Sequence, residues 1–191
     1  MTRDLMHSAE LKDIVRGAYG GIDTSTEAIA RKLYSPEELA QVPQAALERA
    51  VGVANHLRFA VIEPGETLLD LGCGGGIDAI LAARRTGPDG RVYGLDFLPE
   101  MLERMTDAAA EAELDNVVAL EGDMEAIPLP DASVDHVISN GVVNLAPRKA
   151  RVLAECARVL RPGGKFTVSD LTVAEEELPP EILMHPATWA G

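Results

Sequence analysis

Three glycines at alternate positions, Gly72, Gly74 and Gly76, close the apolar run Thr67–Leu71 and stand directly before a helical pattern with Ile77, Ile80 and Leu81 on one face. Residues of these types at this spacing can hold a charged ligand group. Strand, glycine turn and helix together bring backbone N–H groups and a helix N-terminus against an anion. Glycine suits the turn because its dihedrals are unusual and because a side chain would hold the ligand off the backbone. About 20 residues further on, Asp96 ends the next apolar run, where a carboxylate can grip both hydroxyls of a ribose. The spacing G-x-G-x-G, rather than G-x-G-x-x-G, points away from a dinucleotide pyrophosphate site. The lack of a lysine followed by Ser or Thr after the glycines removes the triphosphate-binding loop. A tight turn without a ligand is the alternative, although three glycines weaken a turn that has no use for them.

The elements that must position these residues alternate strand and helix from Glu66 onward, the pattern of an α/β fold with a doubly wound, mostly parallel sheet. Strands are predicted at Thr67–Leu71, Arg91–Asp96, Val117–Glu121, Val134–Ser139 and Lys165–Asp170. Helices are expected after the glycines, from Pro99, and from about Pro147 to Leu160, the last terminated by Arg161-Pro-Gly-Gly164. In such a sheet a ligand lies beyond the carboxyl ends of the strands, where strand order reverses. Asp70 with the glycines, Asp96, Asp123 and Asn140 all fall on that rim. Any one alone reads as a loop residue, whereas four together read as a site.

The first 63 residues carry helical patterns and read as an N-terminal helical cap. A short helix is expected from Asp4 to about Arg16, ended by Gly17 and the Gly20-Gly21 pair with Tyr19 in the turn, and another from Thr24 to Leu33. Ser35-Pro-Glu-Glu38 is a helix start with capping serine, first-turn proline and acids. Residues Ala45 to Val61 have helical apolar spacing. Residues 64–174 form the sheet domain and 175–191 a tail, its run Glu175–Glu177 a solvated loop. The tail has no strand signal, so the fifth strand is left with a bare edge. The tail or a second copy covers it in a homodimer, or the chain is a fragment truncated after that strand, which is the expectation favoured here.

A chain of 191 residues with 47% hydrophobic and 25% charged residues buries a real core. Its net charge of -14 argues against nucleic acid or an anionic membrane as partner. Neither a signal peptide nor an apolar run long enough to span a bilayer is evident, so a cytoplasmic location is expected. Two cysteines, Cys73 in the loop and Cys156 on a helix, do not suggest a disulfide-stapled fold.

The segments LLDLGCGGG, YGLD, EGDMEAIPLPDASVD and RVLRPGGKF resemble the class I methyltransferases, Rossmann-like enzymes that use S-adenosylmethionine. A narrower likeness, in YSPEELAQVP, PGETLLDLGCGGGIDAILAA, SVDHVISNGVVNLAP and HPATWAG, is to the arsenite methyltransferases. The resemblance implies that the backbone of Gly72, Cys73 and Gly74 holds the methionyl part of the cofactor, with Asp70 supporting the loop. It implies that Asp96 accepts the ribose hydroxyls and that Phe97 and Met101 pack on the adenine. Asp123 would receive the adenine amino group, with Met124 and Glu125 beside it, and Asn140 and Gly141 would line the opening toward the methyl. Tyr19 would close over the cofactor, or serve as a half-buried cap residue. Without the resemblance, the residues do not separate a sulfonium cofactor from a mononucleotide.

The departures bear on the acceptor. Arsenite methyltransferases hold trivalent arsenic on thiolates. One cysteine of that set is replaced by Gly141, the N-terminal segment has no cysteine, and Gly52–His56 lacks another. Cys73 is expected to face the cofactor and Cys156 to lie on a helix stripe. His136 reads as a structural strand residue with a satisfied hydrogen bond and His56 as a structural helix residue. No catalytic nucleophile–base pair and no metal ligands emerge. Two functions remain open: a methyltransferase acting on a small acceptor, and a cofactor-binding module that transfers nothing.

Overall fold

The computed structural model describes residues 8–20, 26–48 and 50–172. Five strands, β1 (Thr67–Leu71), β2 (Arg91–Asp96), β3 (Val117–Glu121), β4 (Val134–Asn140) and β5 (Leu160–Ser169), form one sheet of order β3-β2-β1-β4-β5. All four pairings are parallel. Strand order therefore reverses between β1 and β4, and the carboxyl ends of those strands are the glycine loop and Asn140. Helices α5 (Ile77–Thr86), α6 (Pro99–Glu111) and α7 (Lys149–Val159) make the crossovers.

Alternation along β1 gives the molecule its two cores. Leu68 joins a cluster with Ile80, Val92, Met105 and Ile138 on the α5–α6 face. Leu69 and Leu71 join Leu95, Val137, Val152 and Val159 on the α7 face. Asp70 shares Leu68's face and so points toward α5, where its carboxyl accepts a hydrogen bond from the Ala79 amide.

The cap comprises α1 (Ser8–Gly20), α2 (Glu27–Leu33), α3 (Pro36–Leu39) and α4 (Gln44–Leu47), and its Ala30, Tyr34, Ala46 and Leu57 belong to the α5–α6 core. The Ser35 capping box forms: Glu38 N donates to Ser35 Oγ at 3.3 Å, and Ser35 N donates to Glu38 Oε2 at 2.9 Å. Glu38 also pairs with Arg85 of α5 at 3.2 Å, tying the cap to the sheet domain.

Four local expectations are corrected. Helix α1 runs through Gly17 to Gly20, so Tyr19 lies in its last turn; one interior glycine costs a helix only about 1 kcal/mol. The expected long helix over 45–61 is broken into α4 and a 3-10 turn at His56–Arg58, because the backbone at Val53 and Ala54 is bound by Asn140. Arg161–Gly164 does not separate helix from strand. It bulges within β5, which advances from Leu160 to Lys165 while β4 advances from Val134 to His136, and Gly163 takes φ +80°. His136 is half satisfied: Nε2 meets Thr167 Oγ1 at 2.8 Å, while Nδ1 is buried without a partner.

β5 is an edge strand with Val168 exposed, and Phe59 and Val61 are exposed beside Lys165, which donates to the Val61 carbonyl. The tail, its acidic run Glu175–Glu177 and the expected helix starts at Asp4 and Thr24 lie outside the described residues. Among the described residues, no helix is long and apolar enough to cross a membrane.

Candidate cofactor site at the β1–β4 switch

A cavity of about 260 Å³ opens beyond the carboxyl ends of β1, β2 and β4. Its walls are largely apolar, with Phe97, Leu98, Met101, Met124 and Leu145 among them. Gly72, Gly74, Val51 and Val142 also bound a smaller hollow of about 50 Å³, which reaches Tyr34, Asp70, Asp78 and Asn140.

The loop after β1 is built by internal hydrogen bonds. Gly72 and Cys73 amides both donate to the Leu95 carbonyl, at 2.8 and 3.0 Å, and Gly76 N donates to Cys73 O at 2.9 Å. The Gly74 amide donates to Asp96 Oδ2 at 3.0 Å. These four donors meet partners inside the protein, which fixes the shape of the loop. Gly72 stands at φ +73°, and a Cβ there would meet Val142 Cγ1 at 2.6 Å. Gly76 takes φ +92° against Met105. A side chain at either position would close the space between loop and β4.

Carboxylates crowd the same place. Asp96 accepts from Leu98 N at 3.0 Å as well as from Gly74, and burial raises its carboxyl above the usual range despite those bonds. Asp70 is 2% exposed with Oδ2 unpartnered. Burial, with Asp78 and then Asp96 nearby, raises its carboxyl strongly. Asp70, Asp78 and Asp96 concentrate carboxylates behind the loop, a setting that favours a cationic over an anionic group there.

On the far wall, Asp123 lies over β3's end, its Oδ1 accepting from Glu125 N at 2.9 Å and its Oδ2 from Lys12. Burial would raise the Asp123 carboxyl, but the Lys12 ammonium, the Glu125 amide and the Arg148 charge together hold it below the ordinary carboxylate range. Glu125 is buried and clamps Arg148, whose Nε, NH2 and backbone N donate to it at 2.9, 2.6 and 2.9 Å. Helix α1 crosses this end: Lys12, Val15 and Arg16 all border the cavity, and the Arg16 guanidinium lies 5.6 Å from the Phe97 ring centre. Sequence reasoning missed Lys12 and Arg16, although their i, i+4 spacing about Val15 marks one helix face.

Asn140 and Cys73 border the smaller hollow, and their side chains are engaged by the scaffold. The Asn140 side chain is bound on every side. Oδ1 accepts from Val53 N, Ala54 N and Ser169 Oγ at 3.0, 3.2 and 2.9 Å. Nδ2 faces Ala54 O, Asp78 Oδ2 and Tyr34 Oη at 2.8, 3.0 and 3.2 Å. Tyr34 in turn donates to Asp78 Oδ1 at 2.8 Å, and burial and Asp78 raise its hydroxyl far above the usual value. This residue ties the cap to the ends of β4 and β5 and to the start of α5. At Gly141, with φ +76°, a side chain would bring its Cβ to 3.0 Å from Val53 Cγ1.

The Cys73 thiol is buried in the α5–α6 core, 3.1 Å from where a Cβ on Gly94 would stand, and burial, then Asp70 and Asp96, push its ionisation up. Cys156 lies in the opposite core, its thiol pushed by burial up to about 11. The sheet separates the two sulfurs. Among the described residues no group of three or more His, Cys, Asp or Glu is placed to hold a metal. His56, in its 3-10 turn, is 2% exposed with Nδ1 3.8 Å from Asp78 Oδ2, and burial lowers its pKa. The expectation for Tyr19 concerns a side chain outside the described residues.

Comparison with known proteins places this geometry in a family. The model of a methyltransferase domain matches residues 62–190. An arsenite methyltransferase of Halobacterium salinarum is 38% identical over 95% of this chain and 52% of its own length. A demethylmenaquinone methyltransferase of Listeria monocytogenes is 37% identical over 60% of this chain and 48% of its own. The crystal structure of an arsenic(III) S-adenosylmethionine methyltransferase from Chlamydomonas reinhardtii superposes with a TM-score of 0.72 at 38% identity, covering 79% of this chain and 52% of that one. The chain thus spans about half the length of the curated relatives it matches. Its glycine loop, its strand-end acids and its all-parallel sheet are those of a chain that belongs to the methyltransferase domain family.

Proposed function

We propose that residues 64–174, under the cap of residues 1–63, bind S-adenosylmethionine and present its methyl group to a small acceptor. One observation carries this reading: Asp96 accepts the Gly74 amide and borders the cavity, with the Asp70 carboxyl close behind the loop. A nucleoside with a positive sulfur fits that field, whereas a nucleotide phosphate does not.

The group, when bound, supplies a methyl carbon already activated by the sulfonium. Everything else falls to this chain. Asp96 grips the ribose hydroxyls. Phe97 and Met101 cover the base, whose amino group meets Asp123 with Met124 and Glu125 beside it. Gly72, Cys73 and Gly74 form the floor under the methionyl part, and Asp70 braces that floor from below through Ala79. Gly141 and the Asn140 backbone border the opening to the methyl. Catalysis of in-line methyl transfer is chiefly positioning and exclusion of water, worth up to about 7–11 kcal/mol.

The acceptor brings its own lone pair in this reading, because the acids and bases at the cavity are engaged: Asp123 by Lys12, and Glu125 by Arg148. The relatives' acceptors, arsenite and demethylmenaquinone, are small molecules. Thiols buried on opposite faces of the sheet speak against arsenite capture by this chain's own sulfurs. They favour an acceptor delivered as a preformed adduct or a quinol. A radiolabelled methyl-transfer screen over arsenite–thiol adducts, thiols, quinols and amines tests this. Transfer to one class supports a methyltransferase, and cofactor binding with no transfer to any class supports a non-catalytic module. Tight one-to-one arsenite capture in calorimetry would overturn the acceptor reading. A homodimer across the edge of β5, which no other strand pairs among the described residues, is a further proposal, read from the sedimentation of the chain in solution.

A further inference from the structure

Helix α1 brings two cations to the cavity, and one of them touches a carboxylate that the proposed function uses. Lys12 Nζ is bound to Asp123 Oδ2 and lies 3.9 Å from Glu125 Oε2, with its side chain about one-third exposed. Lys12 and Asp123 both border the cavity, beside Phe97 and Met101, which offer apolar faces to a planar ring. A carboxylate accepts and an ammonium donates. Side by side, they complement a ring that carries an amino donor next to a ring-nitrogen acceptor.

We propose that Lys12 is a base-reading residue, which with Asp123 forms an acceptor–donor pair matched to the amino group of an adenine and a ring nitrogen flanking it. The inference rests on the adenosyl reading of the cavity. It adds a charged side chain from the cap to the polar groups that the sheet domain offers the base. Asp123 orients the base through the amino group, and Lys12 donates to N1 or N7 while neutralising the carboxylate. The aliphatic stem of Lys12 and the neighbouring Val15 cover the ring edge from solvent. Cofactor binding and the docking of α1 then depend on each other, because the same ammonium serves both.

The test is a calorimetric titration of the full 191-residue chain with S-adenosylhomocysteine and its 1-deaza and 7-deaza counterparts, in which CH replaces a ring nitrogen. The wild type is expected to bind one deaza compound about tenfold more weakly than the parent, the scale of a charge-assisted hydrogen bond. Lys12→Met should bind the parent about tenfold more weakly and no longer distinguish it from that deaza compound. Lys12→Arg should restore part of the discrimination, and Lys12→Gln replaces the Met variant if that does not fold. Equal binding of all three compounds by the wild type, or unchanged discrimination in the variants, would overturn the proposal while leaving the adenosyl reading intact. No binding of S-adenosylhomocysteine by the wild type would remove both.

Discussion

The two ends of the cavity use polar groups in opposite ways. At the Asp96–Asp123 end, carboxylates line open space, and each oxygen accepts one protein donor and keeps lone-pair capacity for a ligand. At the Asn140 end, polar atoms are consumed by the scaffold: one amide side chain meets the cap backbone, Tyr34, Asp78 and Ser169. The first arrangement is that of a reader and the second that of a rivet. Residues on one rim of one sheet, all short and polar in the sequence, thus divide between binding and assembly, and only the long-range partners tell them apart.

That division can be broken most severely at Asn140. Asn140→Ala removes a buried hub and strands the donors of Val53 and Ala54, which should cost about 3–5 kcal/mol of stability in denaturant unfolding. Loss of cofactor binding without loss of stability would make Asn140 a reader after all. At the other end, Asp96→Ala should weaken S-adenosylmethionine by at least about tenfold, or ~1.4 kcal/mol or more, in calorimetry. Its unfolding midpoint should fall far less than that of Asn140→Ala.

Asp70 lies between the two ends and sharpens the contrast through pH. Its folded carboxyl is raised by burial, so its favourable contribution is present below the unfolded value of about 3.9 and is lost as pH rises through the folded value. Asp70→Asn should flatten that decline and make the free protein about 1–2 kcal/mol more stable at pH 7. The cationic cofactor should raise the wild type's melting temperature more at pH 8 than at pH 5, and that pH dependence should shrink in Asp70→Asn. The smallest effect, about 1 kcal/mol in thermal unfolding, is expected from Tyr34→Phe, which deletes the hydrogen bond to Asp78 and the longer one from Asn140 Nδ2, whose two hydrogens keep Ala54 O and Asp78 Oδ2.

Much of the reading end was legible in the chain. The five strands follow from apolar runs bounded by turn residues, and the glycines and Asp96 carry their meaning in local spacing. The rivet was not legible, because its contacts join residues 86 and 87 positions apart and leave no period in the sequence. For the same reason, the apolar spacing of residues 45–61 suggested a helix: periodicity records which residues are buried, and here a side chain from β4 claims the backbone that the helix would need. Lys12 escaped notice because an exposed-looking lysine on a short amphipathic helix is ordinary until the fold sets it on Asp123. The partners of the glycine-loop amides were not legible either, because sequence shows where donors are, and not that the Leu95 carbonyl takes two of them.

The most direct test is titration of the chain with S-adenosylmethionine while the amide signals of Gly74 and Leu98, both bonded to Asp96, are followed by NMR. One-to-one binding with an affinity on the order of micromolar, shifts centred on those two amides and at least about tenfold weakening in Asp96→Ala is the predicted result. Saturating cofactor that leaves both signals unmoved, or an Asp96→Ala protein that binds as well as the wild type, would contradict it.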